Sequence, residues 1–205
     1  ATTSPNGWVR DFAHQLLARS RPAKAAPLLA RLALEAPDAP GRVQALCALG
    51  SLRKEAGRKL MVETLAAALS DRHPGVRRHA LRLSEPLLQD TPRLQQAVLK
   101  LEEDPDAHVR LQLAYSLGEW DSPLAGRSLG KLALANAGDQ YITAAVMSSA
   151  ENNLEELIAV VFAGAQGNSQ QQKIARTLSA KLLPLAGAFG KPRAIATVLE
   201  EITRK

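Results

Sequence analysis

An apolar anchor returns along this chain at nearly constant spacing. Val9, Val43, Val76, Val109 and Ile142 lie 34, 33, 33 and 33 residues apart, and Ile174 follows 32 later. Each opens a similar segment, as in Val9-Arg10-Asp11-Phe12-Ala13, Val76-Arg77-Arg78-His79-Ala80 and Val109-Arg110-Leu111-Gln112-Leu113. A second marker keeps step with the first. Asp38, Asp71, Asp104 and Asp139 precede their anchors by three to five residues. Self-similarity at this period specifies a stack of supersecondary units, each too small to bury its apolar side alone.

Composition names the unit. The chain is 46% hydrophobic but only 3% aromatic, so its core is built from Leu, Ala and Val. Leu and Ala are strong helix formers, and no segment sustains period-2 alternation. Apolar residues instead recur at spacings of three and four, as in Val76, Ala80, Leu83 and Leu87. Second helices repeat the idea at Leu28 and Leu32, Leu65 and Leu69, Leu94, Val98 and Leu101, and Leu154, Leu157, Ile158 and Val161. No apolar run reaches the ~18 residues of a membrane-spanning helix, so no membrane insertion is expected. The N-terminal Ala1-Thr2-Thr3-Ser4-Pro5 has neither the charged head nor the apolar stretch of a signal peptide.

The pattern reads as an all-α solenoid of six helix hairpins in one continuous domain. The units span approximately 6–37, 38–70, 71–103, 104–138, 139–168 and 169–205. Pro37-Asp38-Ala39-Pro40-Gly41 and Asp71-Arg72-His73-Pro74-Gly75 separate successive pairs. There Asp can accept from free backbone N–H groups, and Pro suits the first helical turn. In the second unit Val43 fits the anchor spacing, but Leu46 and Leu49 fall one or two residues off the neighbouring pattern. The last unit deviates, as terminal units of a stack often do.

The paired helices, the Asp near the turn and the Val-Arg helix start resemble HEAT repeats, within the armadillo-like helical folds. The subtype resembles the short-unit kind of phycobilisome-lyase-like proteins. A narrower resemblance is carried by Asn6-Gly7-Trp8-Val9-Arg10-Asp11-Phe12, by Asp71-Arg72-His73-Pro74-Gly75-Val76-Arg77-Arg78-His79-Ala80, and by Asp104-Pro105-Asp106-Ala107-His108-Val109-Arg110 with Tyr115-Ser116-Leu117-Gly118-Glu119. These segments are similar to the HEAT region of planctomycete-type membrane-bound dehydrogenases, exported bacterial haem proteins with a β-propeller before that region and a cytochrome c domain after it. The resemblance implies a spacer between electron-transfer modules in an exported or periplasmic bacterial protein. Its redox chemistry transfers to no residue here, because the single cysteine, Cys47, cannot supply the CxxCH of haem attachment.

Catalytic, cofactor and metal sites are not expected. GxSxG, GxGxxG and GxxxxGK[ST] are missing. His14, His73, His79 and His108 show no metal-ligand spacing, and no His-Glu pair of the deoxyhypusine hydroxylase kind occurs. Cys47 lies within an apolar pattern and reads as a small buried hydrophobe. Arg10, Arg77 and Arg110 follow their anchors, with Gln44 and Thr143 standing in elsewhere. Because Asp recurs with the same period, the expected arrangement is a structural ladder in which Arg forks to Asp38, Asp71, Asp104 or Asp139, or to carbonyls of adjacent turns. Arg77, Arg78, Arg82 and Arg110 are also candidates for a partner surface. Trp120, at a turn with Asp121 and Ser122, reads as an exposed contact residue or as packing over the turn, and Tyr141 joins it as a surface candidate. Trp8 is expected to cover the N-terminal end of the core.

Charge sets the partner classes. Residues 1–100 carry 16 Lys and Arg against 8 Asp and Glu, a balance of +8, and the remainder carries 10 against 12, or −2. The expected function is non-catalytic: a scaffold or interaction module for a protein partner, an acidic one included, or for neighbouring domains of the same chain. The same features admit two alternatives. One is a nucleic-acid-binding fold of the DNA-glycosylase-like HEAT type, which the scarcity of aromatics opposes. The other is a bilin-lyase-like protein, which rests on the subtype alone.

Overall fold

The structure is a computed structural model and describes residues 2–165 and 167–203. Residues 166, 204 and 205, at the fifth-to-sixth unit gap and the end of the sixth, lie outside the described residues. Thirteen α-helices and short 3-10 turns make up the described residues, with no strand among them. The fold is all-α, formed from HEAT-like helix hairpins. Two compact units are present, Ala1–Lys100 and Leu101–Lys205.

The first unit holds α1 (Gly7–Ser20), α2 (Ala26–Glu35), α3 (Ala39–Ser51), the single turn α4 (Arg53–Ala56), α5 (Arg58–Ala68), α6 (Pro74–Ser84) and α7 (Pro92–Leu99). Helices α1, α3 and α6 pack in succession as one layer, A, and α2, α5 and α7 as a second, B. Between the layers lie Leu29, Ala33, Leu46, Leu49, Met61, Leu65, Val76, Leu81, Leu88, Leu94 and Val98, all buried. On α2 the buried stripe is Ala26, Leu29, Ala30 and Ala33, whereas Leu28 is 49% exposed. The sequence stripe through Leu28 and Leu32 is thus turned about one residue around the helix.

The second unit repeats the plan within itself: α8 (Ala107–Gly118), α10 (Gln140–Ser148) and α12 (Ser169–Ala188) form its own layer equivalent to A, and α9 (Pro123–Ala135), α11 (Leu154–Gly164) and α13 (Pro192–Thr203) its own layer equivalent to B. Helices α9 and α11 approach very closely. A Cβ on Gly126 would lie 2.6 Å from the Glu156 Cβ and 2.8 Å from the Asn153 carbonyl oxygen, and one on Gly130 would lie 2.6 Å from the Val160 Cβ. The two glycines, one turn apart, let one helix backbone rest on the other.

The layer-A helices share one start. Their N-caps are Asn6, Asp38, His73, Asp106, Asp139 and Asn168, each accepting from a backbone N–H two or three residues on. Asp106 and Asp139 each hold two such groups, at 2.9 and 3.2 Å and at 2.9 and 3.1 Å. The third residue after the cap is Val9, Gly41, Val76, Val109, Ile142 or Gln171. This corrects two sequence expectations. The anchor position in the second hairpin belongs to Gly41, not Val43, which accounts for the offset of Leu46 and Leu49. Gln171 holds it in the sixth, where its side chain closes a capping box with Asn168 instead of entering the core. Asp71 and Asp104 are not the caps themselves. Each lies two residues before one and accepts the N–H of His73 (2.8 Å) or Asp106 (3.0 Å).

Ala has about 1 kcal/mol more helix propensity than Gly, so an exposed Gly→Ala change would stabilise. Gly130→Ala is expected to do the opposite, by about 1–3 kcal/mol, because the new methyl meets Val160 and the α11 backbone. Urea unfolding followed by circular dichroism measures the sign.

Candidate partner-binding surface

The recurrent arginines act inside the fold. In each case Nη1 reaches back to the two carbonyls six and five residues upstream. Arg10 donates to Ser4 O (2.6 Å) and Pro5 O (3.1 Å). Arg42 donates to Ala36 O (2.9 Å) and Pro37 O (3.3 Å). Arg77 donates to Asp71 O (2.9 Å) and Arg72 O (3.3 Å), and Arg110 to Asp104 O (2.6 Å) and Pro105 O (3.2 Å). Each guanidinium closes the loop that leads into its own helix. The second hairpin therefore keeps its arginine as Arg42, one residue after Gly41, and Gln44 does not replace it. Thr143 does occupy the position in the fifth hairpin. It is 3% exposed, and its Oγ1 has no hydrogen-bond partner.

Arg42 also reaches forward to the next hairpin, and Arg110 to the end of its own. Arg42 forks onto Asp71, Nε to Oδ2 at 2.8 Å and Nη2 to Oδ1 at 3.0 Å, with the Arg42 side chain 4% exposed. Arg110 Nε donates to Asn136 Oδ1 at 3.0 Å. Burial pushes the Asp71 carboxyl up, but the Arg42 fork, the His73 N–H and the charges of Arg42 and Arg72 outweigh it and hold it below the ordinary carboxylate range. Arg77 and Arg110 thus point their donors into loops and offer a partner little, whereas Arg78 and Arg82 lie exposed on α6.

Trp120 is no surface residue. It is 1% exposed, and its turn is gripped by Asn153, itself 1% exposed, which donates Nδ2 to Trp120 O (3.0 Å) and accepts from Ser122 N (3.2 Å). The indole is enclosed because a side chain 33 residues on satisfies the backbone around it. Tyr141 is 68% exposed at the start of α10. Trp8, expected over the core end, is instead 72% exposed and stacks on Phe12, ring centroids 5.5 Å apart and planes 2° from parallel. With Leu16, 51% exposed, they form an apolar stripe along α1, a helix with no buried residue. Sequence reading missed this stripe; the four-residue spacing of Trp8, Phe12 and Leu16 was its signal.

Cys47 is half-buried on α3, with Sγ 3.7 Å from His79 Nδ1 on α6. Burial raises the thiol against the opposing charge of Arg82. Burial also lowers the imidazole, helped by Arg82 and Arg78. Burial thus works against a thiolate at Cys47, the form that nucleophilic chemistry needs. Among the described residues no group of three or more His, Cys, Asp and Glu side chains could hold a metal ion, and no helix is long and apolar enough to cross a membrane. One cleft in the second unit is lined by Gln170, Lys173, Ile174, Thr177 and Lys181, another by Asn152, Glu155, Glu156 and Lys191.

A depressed carboxylate stabilises the fold above its unfolded value, about 4, and loses that contribution as pH falls through the folded value. Acid unfolding is therefore expected to be shallower in Asp71→Asn than in the parent, in thermal melts from pH 6 down to ~2. Arg42→Met is expected to cost about 3 kcal/mol at neutral pH, near the lower bound for breaking a buried pair, because Asp71 can take up water.

The sequence pattern of the family described as HEAT repeats matches residues 62–150, from within α5 to the turn after α10. No curated protein matches the chain. The matched segment, similar to HEAT repeats, is set in an all-α fold of helix hairpins.

Proposed function

We propose that this chain is a non-catalytic scaffold that binds a protein partner through exposed helix surface. HEAT repeats as a class serve protein interaction and scaffolding, and are typically non-catalytic. The observation that carries the reading is the use of the polar repeat positions. Arg10, Arg42, Arg77 and Arg110 are spent on loop carbonyls, and Asp106 and Asp139 on helix starts. What remains outside includes open side chains in each unit: Trp8, Phe12, Leu16, Arg78 and Arg82 in the first, Tyr115 and Tyr141 in the second. Large aromatic and Arg side chains in open positions are the ones that dominate protein–protein affinity.

The wider setting we infer is a segment of a larger exported bacterial redox protein, supported by the helix-start segments similar to planctomycete-type dehydrogenases. A parent reading frame with a propeller before this segment and CxxCH after it is the expected finding; a frame with neither removes that setting.

The excess of +8 over residues 1–100 also favours a second reading, binding to nucleic acid. Titration of the full chain with a fluorescent DNA duplex separates the two. The scaffold reading expects no binding even at low salt. Micromolar binding with a steep salt slope would replace it with the nucleic-acid reading.

A further inference from the structure

We propose that the exposed face of α1 docks an acidic amphipathic α-helix, in the place a preceding layer-A helix would hold. The inference rests on the protein-interaction reading above and names its surface and partner.

Layer-A helices meet through fixed positions counted from their caps. In α6, the residues six and ten after the cap are His79 and Leu83. His79 Nδ1 lies 3.7 Å from Cys47 Sγ on α3, and Leu83 Cδ2 lies 2.8 Å from where a Cβ on Gly50 would be. At the C-cap of α10 the tenth residue after the N-cap is Ser149, whose Cβ lies 2.7 Å from the same point on Gly118 of α8. In α3 the sixth is Gln44, whose Nε2 donates to Arg10 O at 3.3 Å on α1. Positions six and ten therefore face the layer-A helix before. Contacts advance together along both helices, from Cys47 to Gly50 and from His79 to Leu83, so the neighbours run parallel.

Counted from Asn6, those positions on α1 are Phe12 and Leu16. They are 48% and 51% exposed, and Trp8 stacks on Phe12 beside them. The corresponding residues of α3, Gln44 and Ala48, are half-buried and buried. A terminal hairpin that closed a stack would show a polar outer face. Instead α1 continues the layer-A packing surface, more apolar than the positions it repeats. By the same geometry the occupant is a helix parallel to α1 with a small residue opposite Leu16, where Gly50 and Gly118 stand in the internal contacts.

Charge selects among such helices. Arg19, Lys24, Arg53 and Lys54 are exposed around the C-terminal end of α1, which the Arg21–Glu55 ion pair (2.6 Å) ties to α4. Asp11 is the single acidic residue of α1. A second copy would bring another +8 of residues 1–100 against this one. The last layer-A helix, α12, shows Lys173, Arg176 and Ala180 at its exposed positions, a poor match to an apolar stripe. Glu- or Asp-flanked apolar helices fit both the stripe and its surroundings.

The test uses the full chain and two stapled helical peptides as long as α1. Both carry Leu at three- and four-residue spacing and a Gly to face Leu16; one is flanked by Glu, the other by Lys. Trp8 and Trp120 are the two tryptophans, one open and one 1% exposed, so a blue shift and lost acrylamide quenching on binding report Trp8. The Glu peptide is expected to produce both changes and to bind at least about tenfold more tightly than the Lys peptide at low salt, the gap closing as salt rises. Phe12→Ser and Leu16→Glu are each expected to weaken it about tenfold or more, and Tyr115→Ser, on α8, to leave it unchanged. Unchanged Trp120 emission and helicity show that the variants fold. Equal affinity for both peptides, or binding that leaves Trp8 open, overturns the proposal. So does concentration-dependent protection of Trp8 without peptide, which assigns the face to a second copy. The duplex titration does not depend on Trp8, so the broader reading can fail there while this surface stands, or hold while this surface fails.

Discussion

One interaction recurs at the first four layer-A helix starts: an arginine Nη1 set against the two carbonyls six and five residues back. It appears at Arg10, Arg42, Arg77 and Arg110, with shorter distances of 2.6–2.9 Å. A loop carbonyl near a core must be paired, since an unpaired buried one costs about 1–3 kcal/mol. Because the arginine sits one residue after the core-facing anchor, pairing those carbonyls also fixes which residue turns inward. Loop closure, cap and core register are thereby one device. Asp71 shows how the device couples hairpins, since it accepts from the N–H of His73 at the next helix start while receiving the Arg42 fork from the previous one.

Once the helix starts are fixed, small residues set how near the helices come. Gly50 and Gly118 let layer-A neighbours touch through Leu83 and Ser149, and Gly126 and Gly130 let α9 lie against the α11 backbone. A core with 3% aromatics needs such closeness, because Leu, Ala and Val reach less far across a gap than Phe or Trp. Buried Ser84, Ser116 and Ser179 follow the same logic as compact residues in tight layers, with Ser84 and Ser179 donating back to carbonyls of their own helix at 2.7 and 2.8 Å.

The period and helical class were legible because a hairpin of fixed length returns its core residues at fixed spacing. Register was less so. Val43 fits the spacing and is apolar, but the position three after the Asp38 cap is Gly41, and no hydrophobicity pattern marks a glycine as an anchor. The better signal was relational: a cap, then three residues on the anchor, then an arginine. Asp38, Gly41 and Arg42 satisfy it as well as Asp106, Val109 and Arg110 do. Trp120 was hidden for a different reason. Glu119, Asp121 and Ser122 make its neighbourhood look solvated, and the Asn153 side chain that seals it comes from the next hairpin.

Exposure alone does not distinguish Trp8 from Tyr141; both stand one residue before an anchor and both are open. The two helices differ one and two turns further along. After Tyr141 come Ala145 and Ser149, small residues set against α8. After Trp8 come Phe12 and Leu16, large residues that stay 48% and 51% exposed. Bulky apolar side chains at helix-facing positions are costly for solubility when left open, and small or polar ones would have served a closed end. A positive surround limits self-association through that stripe, because bringing two such ends together sums like charges. An apolar stripe that is open to helices yet guarded against its own copies selects partners by charge first and by side-chain size second.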